Sequence, residues 1–389
     1  MNSTTASSLV TAFSQVPDPR RRQGRRFELA SLLAVAVAAM LANHRSVLAM
    51  AEWAADQSPT LLRALGFADG VTPHQSTLAR VFARLDPEAV TAAVTAYLHR
   101  AKMRPDTAPS LRGCAIDGKA QRTRQAYVHP PTGVVQMLNA ICHQTGIVIG
   151  QHPVAHHVGK VEAELTVAPA LLAKIELAGR VITADALYCQ RNLCQQIVDA
   201  GGDYLILVKA NQPELFTDLQ LLFDPPTPGP VLLDQRQART IDHAHNRSAD
   251  TRVLTASTDL NDYLDWPGIG QVFRLERTWH AATGRHRTIR YGITSLTPAA
   301  ADAEQLLALR RGHWQIENRL HYVCDVSLGE DACTVRLGAG PIVMSLLRAA
   351  VVSLLRHANY PSIAAALRHF SRRPHELLDF LNLEAPENA

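Results

Sequence analysis

Apolar residues follow two different patterns along the chain, and the change from one to the other comes near residue 110. In the first part they recur at helical spacing. The run from Leu29 to Ala42 predicts a buried helix, and a second, amphipathic helix is predicted by Leu78, Val81, Phe82 and Leu85. Thr72 or Ser76 is placed to cap this second helix. The first 110 residues are therefore expected to be helical.

From residue 113 onward, short apolar runs alternate with amphipathic segments. The segments VVQMLNAICH, RVITAD and DYLILVK are typical of strands, and the stretches between them have helical periodicity. This alternation predicts an α/β fold with a mixed sheet flanked by helices. Between about residues 224 and 300 the chain becomes β-branched and Arg-rich, which predicts a β-rich insertion, and helical periodicity returns at Asp302.

These changes in pattern predict two domains. The first is an N-terminal helical domain, residues 1–110, and the second is an α/β domain, residues 111–389, which contains the insertion and C-terminal helices. A linker is expected at the Pro-containing segment MRPDTAPSLRG. The longest apolar run has 14 residues, fewer than the roughly 18–20 that a membrane-spanning helix needs, so we expect no membrane partner.

Composition excludes some classes of protein. The chain has 389 residues, of which 47% are hydrophobic, and this excludes disordered and fibrous proteins. A net charge of +4 is too small to demonstrate a nucleic-acid partner, so the positions of the charges must decide. The six cysteines include no Cys-x-x-Cys pair, and no secretory signal opens the chain. We therefore predict a cytoplasmic protein with reduced thiols.

Two groups of arginines in the helical part are candidates for contact with a nucleic acid. One is the cluster in DPRRRQGRR, formed by Arg20, Arg21, Arg22, Arg25 and Arg26. Clustered arginines replace phosphate counterions, although a solvated arm has the same composition. The other group is Arg80 and Arg84, which share the outer face of the predicted helix. That helix resembles the second helix of a helix-turn-helix, and an ordinary amphipathic helix fits equally well.

Two aspartates stand at the ends of predicted strands. Asp117 ends the first strand in CAIDGKA, and Asp185 ends another in RVITADALYCQ. Carboxylates at such positions point into the crevice where open α/β sheets place their active sites. Their oxygen atoms suit Mg²⁺, although each aspartate alone also fits the role of a turn former or helix cap.

A third candidate carboxylate lies in the segment RRGHWQIENRLHYVCDV. Arg310, His313, Glu317 and His321 follow one another at steps of three, four and four, which predicts one ionisable helix face. The nearby acids Asp325 and Glu330 are competitors of Glu317 if the helix is rotated. A zinc site is disfavoured because the segment has no His-Glu-x-x-His core and its two outer histidines are about 12 Å apart on a helix.

Four motifs, taken together, resemble those of a known family. AIDGKA, TADALYCQ, DYLILVKANQ and HWQIENRLHYVCDVSLGED occur in this order, with a β-type segment before the last. The chain resembles the DDE transposases of bacterial insertion sequences, in particular the H-repeat-associated group. The resemblance covers about residues 113–356 and an associated helical segment, about residues 10–100.

The resemblance implies an RNase H-like fold in which Asp117, Asp185 and Glu317 are catalytic. It also implies two Mg²⁺ or Mn²⁺ ions, with Asp117 bridging them, Asp185 on one and Glu317 on the other. Expected partners are the terminal inverted repeats, target DNA and a second copy of the chain assembled on the DNA ends. Water would cut the ends first, and the 3′-OH would then attack the target. Expected further DNA contacts are Lys119, Lys209, Arg310, Arg311, His313, Asn318 and Arg319.

One departure from the family concerns the last helix. Related transposases carry a Tyr, Arg, Glu, Lys pattern there, and the same spacing from Glu317 gives Arg310, His313 and Cys324. Cys324 offers no cation, so phosphate contacts are expected from Arg310, Arg311, Arg319 or Lys209. Two alternatives remain: a protein that binds transposon ends without cutting, and a metal-dependent nuclease of the same fold.

Overall fold

The computed structural model describes residues 9–100, 111–121, 136–154, 160–226, 233–242, 250–281 and 283–383. Helices form the first of these ranges, as the sequence predicts. The buried helix predicted from the long apolar run is present, and all of its residues are buried. The six helices are α1 (Leu9–Phe13), α2 (Leu29–Leu41), α3 (Val47–Ala55), α4 (Pro59–Ala64), α5 (Gln75–Phe82) and α6 (Pro87–Arg100).

Helix α5 differs from its prediction at its first turn. The residue that caps it is His74, whose Nδ1 accepts a hydrogen bond from the backbone N–H of Ser76 at 3.2 Å. The expectation of a cap at Thr72 or Ser76 was wrong, because the imidazole competes for the same orphan amide that a hydroxyl would take.

A nine-stranded mixed sheet crosses the rest of the molecule. Its strand order is β3-β2-β1-β4-β5-β9-β8-β7-β6. Strand β1 is parallel to β4, β4 is parallel to β5, and the other neighbours are antiparallel. The strands are β1 (Arg112–Ala120), β2 (Gln136–Cys142), β3 (Val148–Val154), β4 (Arg180–Ala184), β5 (Asp203–Val208), β6 (Arg236–Asp242), β7 (Asp250–Ser257), β8 (Gln271–Ala281) and β9 (Gly284–Thr294).

The predicted mixed α/β fold is confirmed, and strands β1 to β5 with their flanking helices form an RNase H-like layer. The predicted β-rich insertion supplies β6 to β9. These four strands continue the same sheet, because β9 pairs with β5 from Leu205↔Thr294 to Val208↔Tyr291. The remaining helices are α7 (Lys160–Ala173), α8 (Arg191–Asp199), α9 (Pro213–Phe223), α10 (Ala303–Gly312), α11 (Gly340–His357), α12 (Ile363–Arg372) and α13 (Leu377–Phe380).

Alternating side chains of the strands divide the core into clusters on the two faces of the sheet. Cys114 and Ile116 of β1 pack with α7 and α8 on one face. Ala115 of the same strand packs on the other face, in a cluster that also contains residues of α2, α5, α6 and α11. Asp117 has the same parity as Ala115 and therefore faces this second side. The N-terminal helices thus share one core with the helices that follow the sheet.

Helix α11 is the one helix within the described ranges that is long and apolar enough to cross a membrane. It is 83% buried inside the protein, against the N-terminal helices and the sheet. Packing in the core therefore accounts for its apolar sequence.

The shared core predicts that damage at α5 destabilises the whole chain. Phe82 is fully buried in the cluster that joins the N-terminal helices to α11. Phe82→Ala should lower the free energy of unfolding by ~3–5 kcal/mol, because it leaves a cavity in that core. Denaturant unfolding followed by circular dichroism should still show one transition, at lower denaturant. Leu48→Ala, at a residue that is 47% exposed, is the control. Two separate transitions, of which the variant shifts only one, would contradict a shared core.

Candidate active site

The parallel pairing of β1 with β4 brings the carboxylates of Asp117 and Asp185 to neighbouring positions. The two strands run parallel, with Ala115 opposite Thr183. Asp117 and Asp185 each lie two residues further on, so they reach the same level and the same face of the sheet. Asp117 is still within β1, and Asp185 directly follows β4, where it precedes the 3₁₀ turn Ala186–Tyr188.

The third carboxylate comes from an irregular helical segment. Helix α10 ends at Gly312, and the chain continues through two π-helical stretches, Glu317–His321 and Val323–Ser327. The single α-helix predicted across this segment is therefore replaced by wider turns. π-helical turns occur frequently at functional sites because they re-aim side chains that a regular helix would place elsewhere.

His321 lies between the first and third carboxylates. Its Nδ1 atom is 3.5 Å from Glu317 Oε1 and 3.9 Å from Asp117 Oδ2. One ligand atom from each of these three residues lies within 4.8 Å of the others, so together they could hold a metal ion. His321 was not among the expected site residues. Its spacing of four from Glu317, which predicts one ionisable helix face, was the available signal.

Asp185 is held by two buried basic side chains. Arg310 donates a hydrogen bond from Nη2 to Asp185 Oδ1 at 3.0 Å, and His313 Nε2 lies 3.6 Å from the same oxygen. The ring of His313 also reaches Thr183 through Nδ1, at 3.2 Å from both the hydroxyl and the carbonyl oxygen. His143 meets the Thr183 hydroxyl from the other side at 2.9 Å. Asp185 is therefore the end of a polar chain that runs into the core.

The two aspartates have opposite electrostatic environments. Burial, with the negative charges of Asp185 and Glu317, raises the pKa of Asp117 to about 6, although His321 opposes the rise. Burial acts in the same direction on Asp185, but Arg310, His313 and Lys209 outweigh it and lower its pKa. The pKa of Glu317 is lowered by its hydrogen bond with His321. Asp117 therefore has no neighbouring cation strong enough to offset its burial, whereas Asp185 has Arg310.

The donor set of this cluster fits a hard divalent cation. Asp117 and Glu317 bring carboxylate oxygens to one point, and the half-exposed Asp185 follows on the neighbouring strand. Carboxylate oxygens suit Mg²⁺ or Mn²⁺. The raised pKa of Asp117 also supports a cation site, since a bound cation would supply positive charge that the neighbouring side chains do not provide. The competing acids Asp325 and Glu330 are directed to Lys119 instead.

A groove of about 840 Å³ is lined in part by Arg310, the residue that donates a hydrogen bond to Asp185. One wall is the face of β8 and β9 that carries Arg277 and Arg290, and the other is α10 and the turn after it. Five arginines and two carboxylates are among its lining residues. Four of these arginines are paired with carboxylates, and Arg290 is the one for which the described residues provide no ion pair. Sequence reasoning did not single out three of these arginines, because strand arginines have no distinctive spacing. They are Arg252, Arg277 and Arg290.

Four expected DNA-contacting residues are buried instead, and the expectation for them is corrected. Each is directed to a partner inside the protein. Arg20 pairs with Asp18 at 2.8 Å, and Lys119 pairs with Asp325 and Glu330. Arg310 and His313 face Asp185, as described above. The physical reason is the same for the two arginines and the lysine: a buried cation requires an acceptor, and a neighbouring carboxylate satisfies it. Burial instead lowers the pKa of His313 to about 4.

The other expected DNA contacts lie at or near the surface. Lys209 is exposed, and its charge is felt at Asp185. Arg311 pairs with Asp242 in the groove, where Asn318 also lies, whereas Arg319 donates to the carbonyl oxygen of Gln144 at 2.8 Å. In the helical part, Arg84 donates to the carbonyl oxygen of Pro19. Six of the arginines expected at DNA in this part are exposed, namely Arg21, Arg22, Arg25, Arg26, Arg80 and Arg84.

The crowding of carboxylates predicts a pH-dependent stability. The folded chain holds the Asp117 proton up to a pKa of about 6, against an ordinary 3.8. The stability that this proton contributes is therefore present below pH 3.8 and is lost as the pH rises through about 6. Asp117→Asn should raise the melting temperature of the metal-free protein at pH 7.5 by a few degrees and have little effect at pH 4.

Thermal denaturation in a chelator across this pH range measures the effect. Asp265→Asn is a suitable control, because the Asp265 side chain is 98% exposed and pairs with Arg191 at the surface. An Asp117→Asn variant whose melting temperature follows the same pH profile as the parent would contradict the crowding that the geometry describes.

Curated relatives match most of this chain. YncI of Escherichia coli O157:H7, whose name describes a transposase, is 26% identical over 359 residues, which are 90% of this chain and 87% of YncI. YhhI of E. coli K12, whose name describes an H repeat-associated transposase, is 24% identical and covers 94% of both chains. The "uncharacterized protein in dhlA 3′ region" of Xanthobacter autotrophicus is 30% identical over 68% of this chain and 86% of its own length.

Among solved structures, the piggyBac transposase synaptic complex with hairpin DNA aligns at a TM-score of 0.44 and 12% identity, over 100% of this chain and 80% of that one. Two family models also match. The model described as DDE_Tnp_1-associated matches residues 10–98, and the model described as Transposase DDE domain matches residues 109–354. The second match covers more than half of the chain, on the segment that carries Asp117, Asp185 and Glu317. The chain therefore belongs to the family of transposases with this DDE domain.

Proposed function

We propose that this transposase cleaves the ends of an insertion sequence and joins the resulting 3′-OH ends to target DNA. The observation that carries the proposal is the meeting of Asp117 and Glu317, with His321, within 4.8 Å on a chain of the DDE family. Asp185 completes the set from the neighbouring strand. Within the described residues, no other group of three or more His, Cys, Asp or Glu side chains has this geometry.

The catalytic metals would be held by these three carboxylates, with Asp117 in the middle position between Asp185 and Glu317. Two divalent ions, when bound, supply the positive charge that offsets charge developing on the phosphate and promotes attack by water or a 3′-OH. Mg²⁺ is the proposed ion, and Mn²⁺ is the proposed substitute, since both prefer oxygen ligands.

The remaining side chains of the site act by position. Arg310 and His313 fix the Asp185 carboxylate through Oδ1, and this leaves its exposed side facing the site. His321 sets the orientation of Glu317. Lys209 is exposed beside Asp185, where its ammonium group would contact a phosphate oxygen. Such preorganised charges contribute most in phosphoryl transfer, where the protein supplies mainly position and electrostatic stabilisation.

DNA would lie along the groove that Arg310 and Arg290 line. The exposed arginines of the helical part, with Arg80 on the outer face of α5, are proposed to recognise the inverted repeats. The same proposal includes the domain limits 1–110 and 111–389, a dimer on the paired DNA ends and a cytoplasmic location. The exposed guanidinium of Arg290 in the groove, with no ion pair among the described residues, favours a polyanionic partner of this kind.

Asp185→Asn tests the proposed chemistry. It preserves the shape of the side chain and removes the charge that holds a metal. With Mg²⁺ and DNA carrying the insertion-sequence ends, cleavage should fall by about 10³-fold or more, as expected when a metal ligand is lost, while binding persists. Gel assays measure both. Asp199→Asn, in an exposed aspartate at the end of α8, is the control.

The products of the same assay separate the three functions. Cleavage followed by joined product supports a transposase, and cleavage without joining supports a nuclease. Binding without cleavage by the parent protein, in either Mg²⁺ or Mn²⁺, supports an end-binding protein that no longer cuts. Full cleavage by Asp185→Asn would overturn the role of this carboxylate.

Lys209→Ala and Arg290→Ala test the DNA path. Both residues are exposed, and no ion pair of either is recorded within the described part of the chain. Each variant should bind all DNA sequences more weakly and should reduce the slope of log affinity against log salt by ~1, the value for one lost phosphate contact. Arg372→Ala, on α12, should change neither quantity. An unchanged salt slope for both variants would place the DNA elsewhere.

A further inference from the structure

A cluster of four charged side chains, three of them buried, lies next to the elements that form the candidate metal site. Lys119 follows Asp117 by two residues on β1, so both side chains leave the same face of the strand. The Lys119 ammonium is 2.6 Å from Asp325 Oδ1 and 2.8 Å from Glu330 Oε2. The side chain of Lys119 is 9% exposed and that of Glu330 is 1% exposed. No step of the proposed reaction uses these groups.

Glu330 connects three parts of the fold. In addition to Lys119, its carboxylate accepts a hydrogen bond from Gln121 Nε2 at 3.3 Å, just after β1. Its Oε1 atom is 3.8 Å from Arg348 Nη1, and Arg348 lies on α11 with only 1% of its side chain exposed. Two cations and two carboxylates therefore compensate each other in the core. Breaking one such buried pair leaves an uncompensated charge.

The cluster joins the two elements that carry the metal-binding carboxylates. Strand β1 carries Asp117 and, two residues later, Lys119. The two π-helical stretches, Glu317–His321 and Val323–Ser327, together form the π-helical segment. This segment carries Glu317 and, eight residues later, Asp325. The ion pair Lys119–Asp325 therefore spans the same two elements as the approach of Glu317 to Asp117. A π-helical segment is rarely favoured by its own backbone, so contacts such as this one must hold it in place.

We propose that Lys119 and Glu330 are positioning residues, which fix the π-helical segment against β1 so that Glu317 and Asp117 can share a divalent cation. Glu330 does this by keeping Lys119 neutralised and turned away from the site. The inference rests on the proposed function, because it concerns the metal of that reaction.

Loss of the Glu330 charge has two consequences for the site. Lys119 keeps only Asp325, which is one-third exposed, and Arg348 loses its carboxylate. The charge of Lys119 already acts on Glu317, so a released ammonium group competes with a divalent ion for the same carboxylates. Groups that orient metal ligands typically change metal affinity by about 10–100-fold when they are removed.

Glu330→Gln in the full chain tests this proposal. Calorimetry with Mn²⁺ alone should give a dissociation constant at least about tenfold higher than that of the parent, with unchanged stoichiometry. Cleavage of end DNA should require correspondingly more Mn²⁺ but approach the parent rate at saturation. Glu330→Asp, which keeps the charge, should recover part of the affinity. Glu376→Gln, which removes a carboxylate paired with His369 far along the sequence, is the matched control and should bind Mn²⁺ normally.

The outcomes separate the positioning role from a merely structural one and from failure of the metal site. Fewer binding sites with an unchanged dissociation constant, or a lower saturating rate with unchanged metal dependence, would overturn positioning and leave only a folding role. Mn²⁺ binding that is lost in Asp117→Asn but unaffected in Glu330→Gln would overturn the inference and leave the proposed function in place. A parent chain that binds no Mn²⁺ at all would overturn both.

A second variant covers the case in which Glu330→Gln does not fold. Asp325→Asn removes the partially exposed partner of Lys119 and leaves the buried Glu330 in place, so a stable chain is expected. It should weaken Mn²⁺ binding severalfold. If Asp325→Asn binds Mn²⁺ as tightly as the parent, Lys119 does not influence the site and the proposal is wrong.

Discussion

Parallel pairing of β1 with β4 is the constraint on which the rest of the site depends. It brings Asp117 and Asp185 to the same level of the sheet, and the π-helical segment then adds Glu317. Three carboxylates in a partly buried place repel one another, and burial makes each charge more costly. Basic residues surround this concentration of negative charge: Arg310 and His313 face Asp185, and His321 faces Asp117 and Glu317. The three carboxylates fit a divalent cation.

Protein cations compensate this charge unevenly. Asp185 has Arg310 within hydrogen-bonding distance, whereas the one basic group that the described residues bring within 4 Å of Asp117 is the ring of His321, at 3.9 Å. The pKa of one aspartate is accordingly lowered and that of the other is raised to about 6. Complete compensation by protein cations would stabilise the fold and leave no demand for a metal. The buried charge of Asp117 destabilises the metal-free fold, and a bound cation can offset this cost. Such a trade-off between stability and function is common at functional sites.

Much of the architecture was available from the sequence. Periodicity predicted the buried helix α2, the strands β1, β2, β4 and β5 and the strand-rich region that follows, because each depends on local apolar patterns. It did not predict that β9 pairs with β5 and so merges the insertion into one sheet, since pairing over about 85 positions along the chain has no local signal. The π-helical turns could not be predicted either, because the spacing of Glu317 and His321 is equally compatible with a regular helix.

The positions of the basic residues in the structure show what a sequence motif cannot specify. Arg20, Lys119 and Arg310 were expected at DNA, yet each is buried against a carboxylate. For Arg20 the partner is two residues away and visible in the sequence. For Lys119 and Arg310 the partners are more than a hundred residues away, and only the fold reveals them. A basic residue within a sequence motif therefore indicates a charge requirement, which an internal carboxylate satisfies as well as a phosphate.

Helix α10 links the chemistry to the groove through two neighbouring arginines. Arg310 turns inward to Asp185, and Arg311 turns outward to Asp242 at the end of β6. The wall of the groove formed by β8 and β9 belongs to the same sheet as β1 and β4, through the pairing of β5 with β9. A DNA backbone lying on Arg290 would thus be held by the sheet that also carries Asp117 and Asp185. The distance from the bound backbone to the carboxylates is then set by strand register, which is fixed by hydrogen bonds along the strands.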